Sequence, residues 1–214
     1  LRLGKDFIQN YTRYSCYDLS SENLRKAGKK ILETRPDYII GYSQSLDRLA
    51  RENSYIKNDL SLLNIKVIIA AAESFPFDDS EQIISEVFGA PIAMEYGSVE
   101  TNLIAHTHPL GGYLTFWKDH LLETVENNGT AEVVVTSLYP RKTPLFRYKI
   151  GDSINYDSDS IISDSGSVIK FSSVIGRNNN PVILPSGRKL HSEVVSHIVR
   201  DNNDIIGYQF ICKK

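Results

Sequence analysis

An apolar stretch leads into a group of aromatic and acidic residues at positions 94–100, Met-Glu-Tyr-Gly-Ser-Val-Glu. If the stretch is a strand of a parallel sheet, its carboxyl end lies where open α/β folds bind ligands. Tyr96 could then stack on a flat ring, and Glu100 could hold a metal ion. A turn after a strand often has a purely structural role, so this segment does not establish a site by itself.

Two later segments carry further candidate side chains. Residues 144–152 end in a Gly-Asp turn, and the carboxylate of Asp152 could accept two hydrogen bonds from a ribose diol. In residues 174–180 the guanidinium of Arg177 could bind a ribose or a phosphate. The structural alternatives are a hairpin turn that the aspartate caps and a solvent-exposed turn that contains the arginine.

Three histidines raise the question of a metal site. His106 and His108 would lie on one face of a strand, with His120 as a third ligand. No cysteine or acidic residue lies nearby at ligand spacing, so surface or loop histidines are the favoured interpretation.

The composition excludes several classes of protein. The chain has 214 residues, with 24 Lys and Arg against 26 Asp and Glu interleaved along its length, which argues against a nucleic-acid partner. No apolar run reaches the roughly 18 to 20 residues of a membrane span, and the first residues do not form a signal peptide. Two distant cysteines, Cys16 and Cys212, do not indicate a disulfide framework. A cytoplasmic protein is expected.

Apolar spacing predicts an α/β fold in which a parallel-sheet portion, residues 1–105, precedes a β-rich antiparallel portion, residues 106–175. In the first portion we expect helices at 21–34, about 46–56 and 79–88, and strands at 38–40, 67–71 and 91–95. In the second we expect strands at 112–118, 121–126, 131–137 and 167–175, with a hairpin turn at 127–129. A small appended unit from residue 176 would contain a strand at 181–184, a helix at 191–200 and a strand at 205–212.

The start of the chain raises a question about its completeness. The only methionine is Met94, and the first residue is Leu1. We therefore expect a piece of a longer protein. A strand edge left unpaired in such a piece could pair two copies as a homodimer.

Taken in order and at their separations, the three segments resemble the adenylate-forming superfamily, and within it the phenylacetate-CoA ligase and CapK-like branch. Three signatures correspond: Tyr-Gly-x-Thr-Glu to residues 96–100, Arg-Tyr-x-x-Gly-Asp to 147–152, and Gly-Arg-x-Asp-Asp to 176–180. Residues 36–42, 71–73 and 133–138 are also similar to that branch. The resemblance extends from about Asp18 to Glu193.

This resemblance implies an AMP-forming ligase that uses ATP, Mg²⁺ and coenzyme A. A small carboxylic acid attacks the α-phosphate of ATP, pyrophosphate leaves, and a thiol then displaces AMP, while magnesium and cationic groups stabilise the oxyanions. By the same resemblance residues 1–175 are the latter part of the large nucleotide-binding domain, and 176–214 begin the small mobile domain. The implied nucleotide-binding residues are Ala72, Glu73, Tyr96, Gly97, Ser98, Asp152 and Arg177, with Glu100 as the magnesium ligand.

The sequence also departs from the family pattern. Val99 stands where the family has a hydroxyl near the α-phosphate, although Ser98 or Thr101 could replace it, and Asn179 and Asn180 replace two aspartates at the domain hinge. A glycine-rich phosphate loop and the C-terminal catalytic lysine are absent from the sequence. We therefore expect the isolated chain to be inactive in adenylation.

These departures keep two alternatives open. The first is a non-catalytic CapK-like protein that acts in capsular or surface polysaccharide biosynthesis. The second is an unrelated α/β domain whose turns match by coincidence. The first alternative, like the ligase, predicts that the candidate side chains meet in one cleft, whereas the second predicts that they are scattered.

Overall fold

The computed structural model describes residues 2–16, 18–71, 73–127, 130–139, 142–157, 160–177, 182–183 and 189–190. The chain divides into two compact units, Leu1–Gly97 and Ser98–Lys214.

The helices are α1 Arg2–Ile8, α2 Ser21–Thr34, α3 Ser43–Glu52, α4 Lys57–Leu60 and α5 Ser80–Phe88. The strands are β1 Tyr38–Tyr42, β2 Val67–Ala71, β3 Ile92–Ser98, β4 Asn102–Thr107, β5 Tyr113–Thr115, β6 His120–Asn127, β7 Thr130–Ser137, β8 Tyr148–Asn155, β9 Ile161–Ile162, β10 Val168–Phe171, β11 Ser173–Arg177, β12 Val182–Ile183 and β13 Lys189–Leu190.

The first unit is built on a parallel sheet, as the alternation of strands and helices predicts. β1 pairs with β2, and β2 pairs with β3, all in parallel. One face of the sheet carries Ile68 and Ala70, which are fully buried in the core together with residues of α3 and α5. On β1, an edge strand, Tyr38, Ile40 and Tyr42 are each about half exposed. Pairing of two copies at such an edge stays a prediction.

The helices begin and end largely where the sequence indicates. α2 spans the predicted residues, and α5 ends at Gly89, whose backbone is left-handed (φ +63°) and whose N–H donates to the Ser85 carbonyl at 2.8 Å. A Cβ at Gly89 would lie 2.7 Å from the Ser61 carbonyl oxygen, so both the dihedral and the close approach require glycine. α3 ends at Glu52, before the predicted residue 56, and residues 54–56 form a separate 3₁₀ turn.

A buried asparagine ties α2 to α3 within this unit. Asn53 is fully buried, and its Nδ2 donates to the carbonyls of Leu24 and Leu49, each at 2.9 Å. The Asn53 amide lies against Gly28 of α2, where any Cβ would overlap it. Gly28 therefore permits the close approach of the two helices at this point.

The second unit is β-rich and antiparallel, as predicted. β4, β5, β10 and β9 pair in that order, and β11, β8, β7 and β6 form a four-stranded sheet. β6 and β7, on either side of the predicted hairpin turn, pair from His120↔Ser137 to Asn127↔Thr130, and residues 128 and 129 of that turn lie outside the described residues. In the β8–β11 pair, Asp152 lies opposite Arg177. Strand pairing thus brings together two side chains that are 25 positions apart in sequence.

Some predicted elements concern residues that are not described. β12 lies inside the predicted strand 181–184, but the predicted helix 191–200 and strand 205–212 lie outside the described residues. Six described helices and strands, α1, α4, β4, β8, β9 and β13, have no counterpart among the sequence predictions. In the described part of the chain, no helix has both the length and the apolar content for crossing a bilayer.

We predict that Gly28→Ala destabilises the protein. Alanine favours a helix over glycine by about 1 kcal/mol, but the added Cβ would displace Asn53 and take its buried amide away from both carbonyl acceptors, at a cost of about 1–3 kcal/mol for the unpaired amide. The measurement is urea unfolding. Gly4→Ala in α1, where a Cβ meets nothing within 4 Å, is the control and should be neutral or stabilising. Equal effects of the two substitutions would contradict the role given to Asn53.

Candidate active site

The turn between β3 and β4 is closed by two hydroxyl groups that cap each other. The Ser98 N–H donates to Thr101 Oγ1 at 3.1 Å, and the Thr101 N–H donates to Ser98 Oγ at 3.2 Å. The two hydroxyl oxygens lie 3.0 Å apart, and Thr101 is fully buried. Asn102 leaves the turn in the left-handed region (φ +59°), which asparagine tolerates better than most residues. The turn therefore has a fixed shape, and Glu100 lies on it.

Both hydroxyls of the turn are thus committed to internal contacts. Replacement by Ser98 or Thr101 of the hydroxyl that the family pattern has at position 99 stays a prediction. Val99 itself is 96% exposed. The turn therefore presents an apolar side chain to solvent beside the carboxylate of Glu100.

Glu100 is held in its charged form by its surroundings. A hydrogen bond from the Ser98 side chain is the largest cause of the lowered pKa of Glu100, followed by a hydrogen bond from the backbone N–H of Glu100 itself. Desolvation raises that pKa, and the positive charge of Arg177 lowers it by less than desolvation raises it. The Arg177 charge acts on Glu100 although the two residues belong to different signatures. A carboxylate kept ionised near neutral pH is suited to bind a cation.

Asp152 is a buried carboxylate that faces an arginine. Arg177 Nε lies 3.3 Å from Asp152 Oδ1, and the side chain of Asp152 is only 10% exposed against 50% for Arg177. Burying a charge is costly unless an opposite charge is close, so the β8–β11 register that pairs these residues is needed for the carboxylate to stay in place. In the second unit, Asp152, Arg177 and the Ser98–Glu100 turn therefore form one group of interacting charges.

The remaining predicted residues belong to the first unit or are not described. Tyr96 is buried in β3, and the backbone carbonyl of Glu73 accepts a hydrogen bond from Ser43 Oγ at 2.7 Å. Gly97 is the last residue of that unit, and Ala72 lies outside the described residues. Contacts of these four residues with adenine stay predictions.

The histidines do not form a metal centre in the described residues. His106 Nδ1 lies 2.9 Å from the Thr107 carbonyl, whereas His108 Nδ1 accepts the Leu110 N–H. His120 is buried, with Nε2 3.1 Å from the Leu103 carbonyl. Among the residues that the structure describes, no group of three or more His, Cys, Asp or Glu could hold a metal ion.

That result still fits a magnesium ion that arrives with a nucleotide. Mg²⁺ is usually held by one or two carboxylates together with substrate phosphates, and it needs no complete set of protein ligands. Glu100 offers one exposed, ionised carboxylate of this kind. Of the described residues, Glu100 is the one that we assign to such an ion.

Known proteins similar to this chain support the expected class. No family model matches the sequence. Protein CapK of Staphylococcus aureus is 28% identical over 206 residues, which cover 94% of this chain and 45% of CapK. The chain thus spans about half the length of this curated relative.

Solved structures show the fold. 2-Hydroxyisobutyryl-CoA ligase in complex with 2-HIB-AMP and CoA has a TM-score of 0.60 and 15% identity, covering 84% of this chain and 45% of the ligase. Brucella canis acyl-CoA synthetase has a TM-score of 0.54 and 16% identity, covering 78% of this chain and 33% of the synthetase. The chain therefore has the fold of part of these two proteins.

We predict that Ser98→Ala raises the pKa of Glu100 more than Arg177→Gln does, because the Ser98 hydrogen bond is the largest cause of the lowered value. A depressed carboxyl pKa stabilises the folded state above the unfolded pKa, and this contribution is lost as the pH falls through the folded pKa. NMR titration of the Glu100 carboxyl measures the shift. Ser163→Ala, which removes a comparable hydroxyl cap from the Ser167 N–H, is the control and should leave the pKa unchanged.

Proposed function

We propose that this chain carries the ribose- and metal-binding part of the nucleotide site of an AMP-forming acyl-activating ligase. The observation that supports this most strongly is the cross-strand pair of Asp152 with Arg177, next to the turn that carries Glu100. These groups come from three separate signatures, which fits one nucleotide site better than coincidental turns. The CapK similarity and the ligase fold agree with this proposal.

Each residue then has a defined role. The Asp152 carboxylate accepts hydrogen bonds from the two ribose hydroxyls, and Arg177, which pairs with that carboxylate, contacts the ribose or a phosphate. Glu100 supplies one oxygen ligand to Mg²⁺, which when bound neutralises charge on the phosphates. ATP, a small carboxylic acid and coenzyme A are the proposed substrates.

The isolated chain should bind a nucleotide without adenylating an acid. No glycine-rich stretch of the sequence could surround a triphosphate, and Val99 offers no hydroxyl to the α-phosphate. Binding would therefore depend on the ribose and the metal ion. The affinities for adenosine, AMP and ATP should therefore lie closer together than in a site where a glycine-rich loop surrounds the triphosphate.

We predict that Asp152→Asn weakens the binding of ATP by tenfold or more in calorimetry, because each hydrogen bond from a hydroxyl to a carboxylate contributes about 1.5–3 kcal/mol. Wild-type protein should bind ATP more tightly than 2′,3′-dideoxy-ATP, and Asp152→Asn should abolish that difference. Asp157→Asn, an exposed aspartate of the same unit, is the control. Equal affinity of the wild type for ATP and the dideoxy analogue would contradict the role of Asp152.

A second prediction concerns the exposed valine. Val99→Thr adds a hydroxyl at a side chain that is 96% exposed, so the fold should be unaffected. We expect ATP and AMP to bind roughly tenfold more tightly, since a hydrogen bond to a charged group contributes about 1.5–3 kcal/mol, while adenosine binding stays unchanged. Val99→Ala, which adds no hydroxyl, should leave all three affinities unchanged. A gain for adenosine as well would mean that position 99 does not face the phosphate.

One observation favours a second candidate function. Val99 is exposed and offers no hydroxyl to an α-phosphate, and the neighbouring hydroxyls of Ser98 and Thr101 already contact each other. A non-catalytic CapK-like protein in capsular or surface polysaccharide biosynthesis would tolerate this loss. In the same calorimetric titrations, no detectable binding of ATP or AMP, with or without Mg²⁺, would favour this candidate over the ligase.

A further inference from the structure

We propose that Tyr139 is a positioning residue for Glu100, which it holds in place by fixing the 98–101 turn from outside. The inference rests on the proposed function, because it assigns Glu100 a role in binding Mg²⁺ with a nucleotide. Neither the sequence signatures nor the charged group described above includes Tyr139. It lies just beyond the end of β7, 38 positions after the residue that it contacts.

The contact is made through the hydroxyl of Tyr139. Its Oη donates to the carbonyl of Thr101 at 3.4 Å and accepts a hydrogen bond from Asn102 Nδ2 at 3.2 Å. Both partners belong to the exit of the turn, where the backbone of Asn102 is left-handed. The tyrosine thus joins the two residues whose geometry decides how the chain leaves the turn.

The ring of Tyr139 is itself held by a buried side chain. It packs edge-on against the ring of His120, with centroids 5.5 Å apart at 83°. His120 is 2% exposed, and its Nε2 lies 3.1 Å from the carbonyl of Leu103 on β4. The hydroxyl therefore projects from a packed base and not from a freely rotating side chain.

The link from this base to the carboxylate is short. Thr101 Oγ1, which is buried beside the carbonyl that Tyr139 bonds, accepts the Ser98 N–H at 3.1 Å. The Ser98 hydroxyl in turn hydrogen-bonds Glu100. Without the Tyr139 hydroxyl, the Thr101 carbonyl loses this hydrogen bond and the Ser98–Thr101 turn is held less firmly. Glu100 can then leave the position in which it meets a metal ion.

The direct test is Tyr139→Phe, which removes the hydroxyl and keeps the ring against His120. Tyr156→Phe is the matched control, because the Tyr156 hydroxyl also makes one internal hydrogen bond in the same unit, at 2.7 Å to Thr124 Oγ1. Two properties are measured on each variant: hydrogen exchange of the Ser98 and Thr101 amides, and the ATP affinity with and without Mg²⁺.

We expect Tyr139→Phe to speed exchange of the two turn amides about threefold or more, as expected for loss of the two hydrogen bonds that Tyr139 Oη makes. The ATP dissociation constant should rise by a similar factor with Mg²⁺ and stay unchanged without it, whereas a general loss of stability would affect both conditions alike. Tyr156→Phe should change neither property. If amide exchange and ATP affinity in Tyr139→Phe equal those in Tyr156→Phe, the proposal is overturned.

A second pair of variants tests the inner link. Thr101→Val removes the hydroxyl that accepts the Ser98 N–H, and it should speed exchange and weaken only the Mg²⁺-dependent binding. Thr115→Val is its control, since Thr115 Oγ1 is buried without a hydrogen-bond partner among the described residues, and removing it should be silent. If Thr101→Val behaves like Thr115→Val, the link from Tyr139 to Glu100 is wrong.

The two proposals can fail separately. If the wild-type chain binds no nucleotide under either condition, the proposed function fails, and amide exchange alone decides the role of Tyr139. Faster exchange at Ser98 and Thr101 in Tyr139→Phe then supports positioning of the turn, and unchanged exchange overturns it. If the wild type binds ATP but the variants change nothing, the nucleotide site stands and the positioning role falls.

Discussion

A carboxylate that is nine-tenths buried needs a positive charge beside it, and for Asp152 that charge is the guanidinium of Arg177. The pairing of β8 with β11 sets this contact, because it places the two residues opposite each other. The same guanidinium also acts on Glu100. The Arg177 guanidinium thus interacts with two carboxylates that are far apart in sequence, Asp152 and Glu100, and the proposed nucleotide site of the second unit depends on its pairing with Asp152.

Local patterns predicted the regular elements because those elements form from local interactions. The apolar spacing of α2, the unbroken apolar run of β2 and the hairpin of β6 and β7 all have the predicted types and nearly the predicted bounds. Long-range contacts account for the differences. α3 stops at Glu52, and the next residue, Asn53, is buried against α2, a contact that a one-sequence pattern does not show.

The candidate site was predictable only in part. Residue types and the family resemblance indicated Asp152, Arg177 and Glu100, and replacement of the position-99 hydroxyl by Ser98 or Thr101 stays a prediction. The mutual capping of Ser98 and Thr101 was not predicted. The spacing of Ser98 and Thr101, three positions apart, is the signal of mutual capping that could have shown this. Tyr139 gave no sequence signal, because its contact with Thr101 arises only from the folded strands.

The most direct test of this account is an NMR titration of the isotope-labelled chain with AMP, in which backbone amide shifts are mapped along the sequence. The account predicts that the largest shifts cluster at residues 98–101, 151–153 and 176–177, and that they move together with a single dissociation constant. Shifts that appear only elsewhere, or three segments that respond with different constants, would contradict a single nucleotide site.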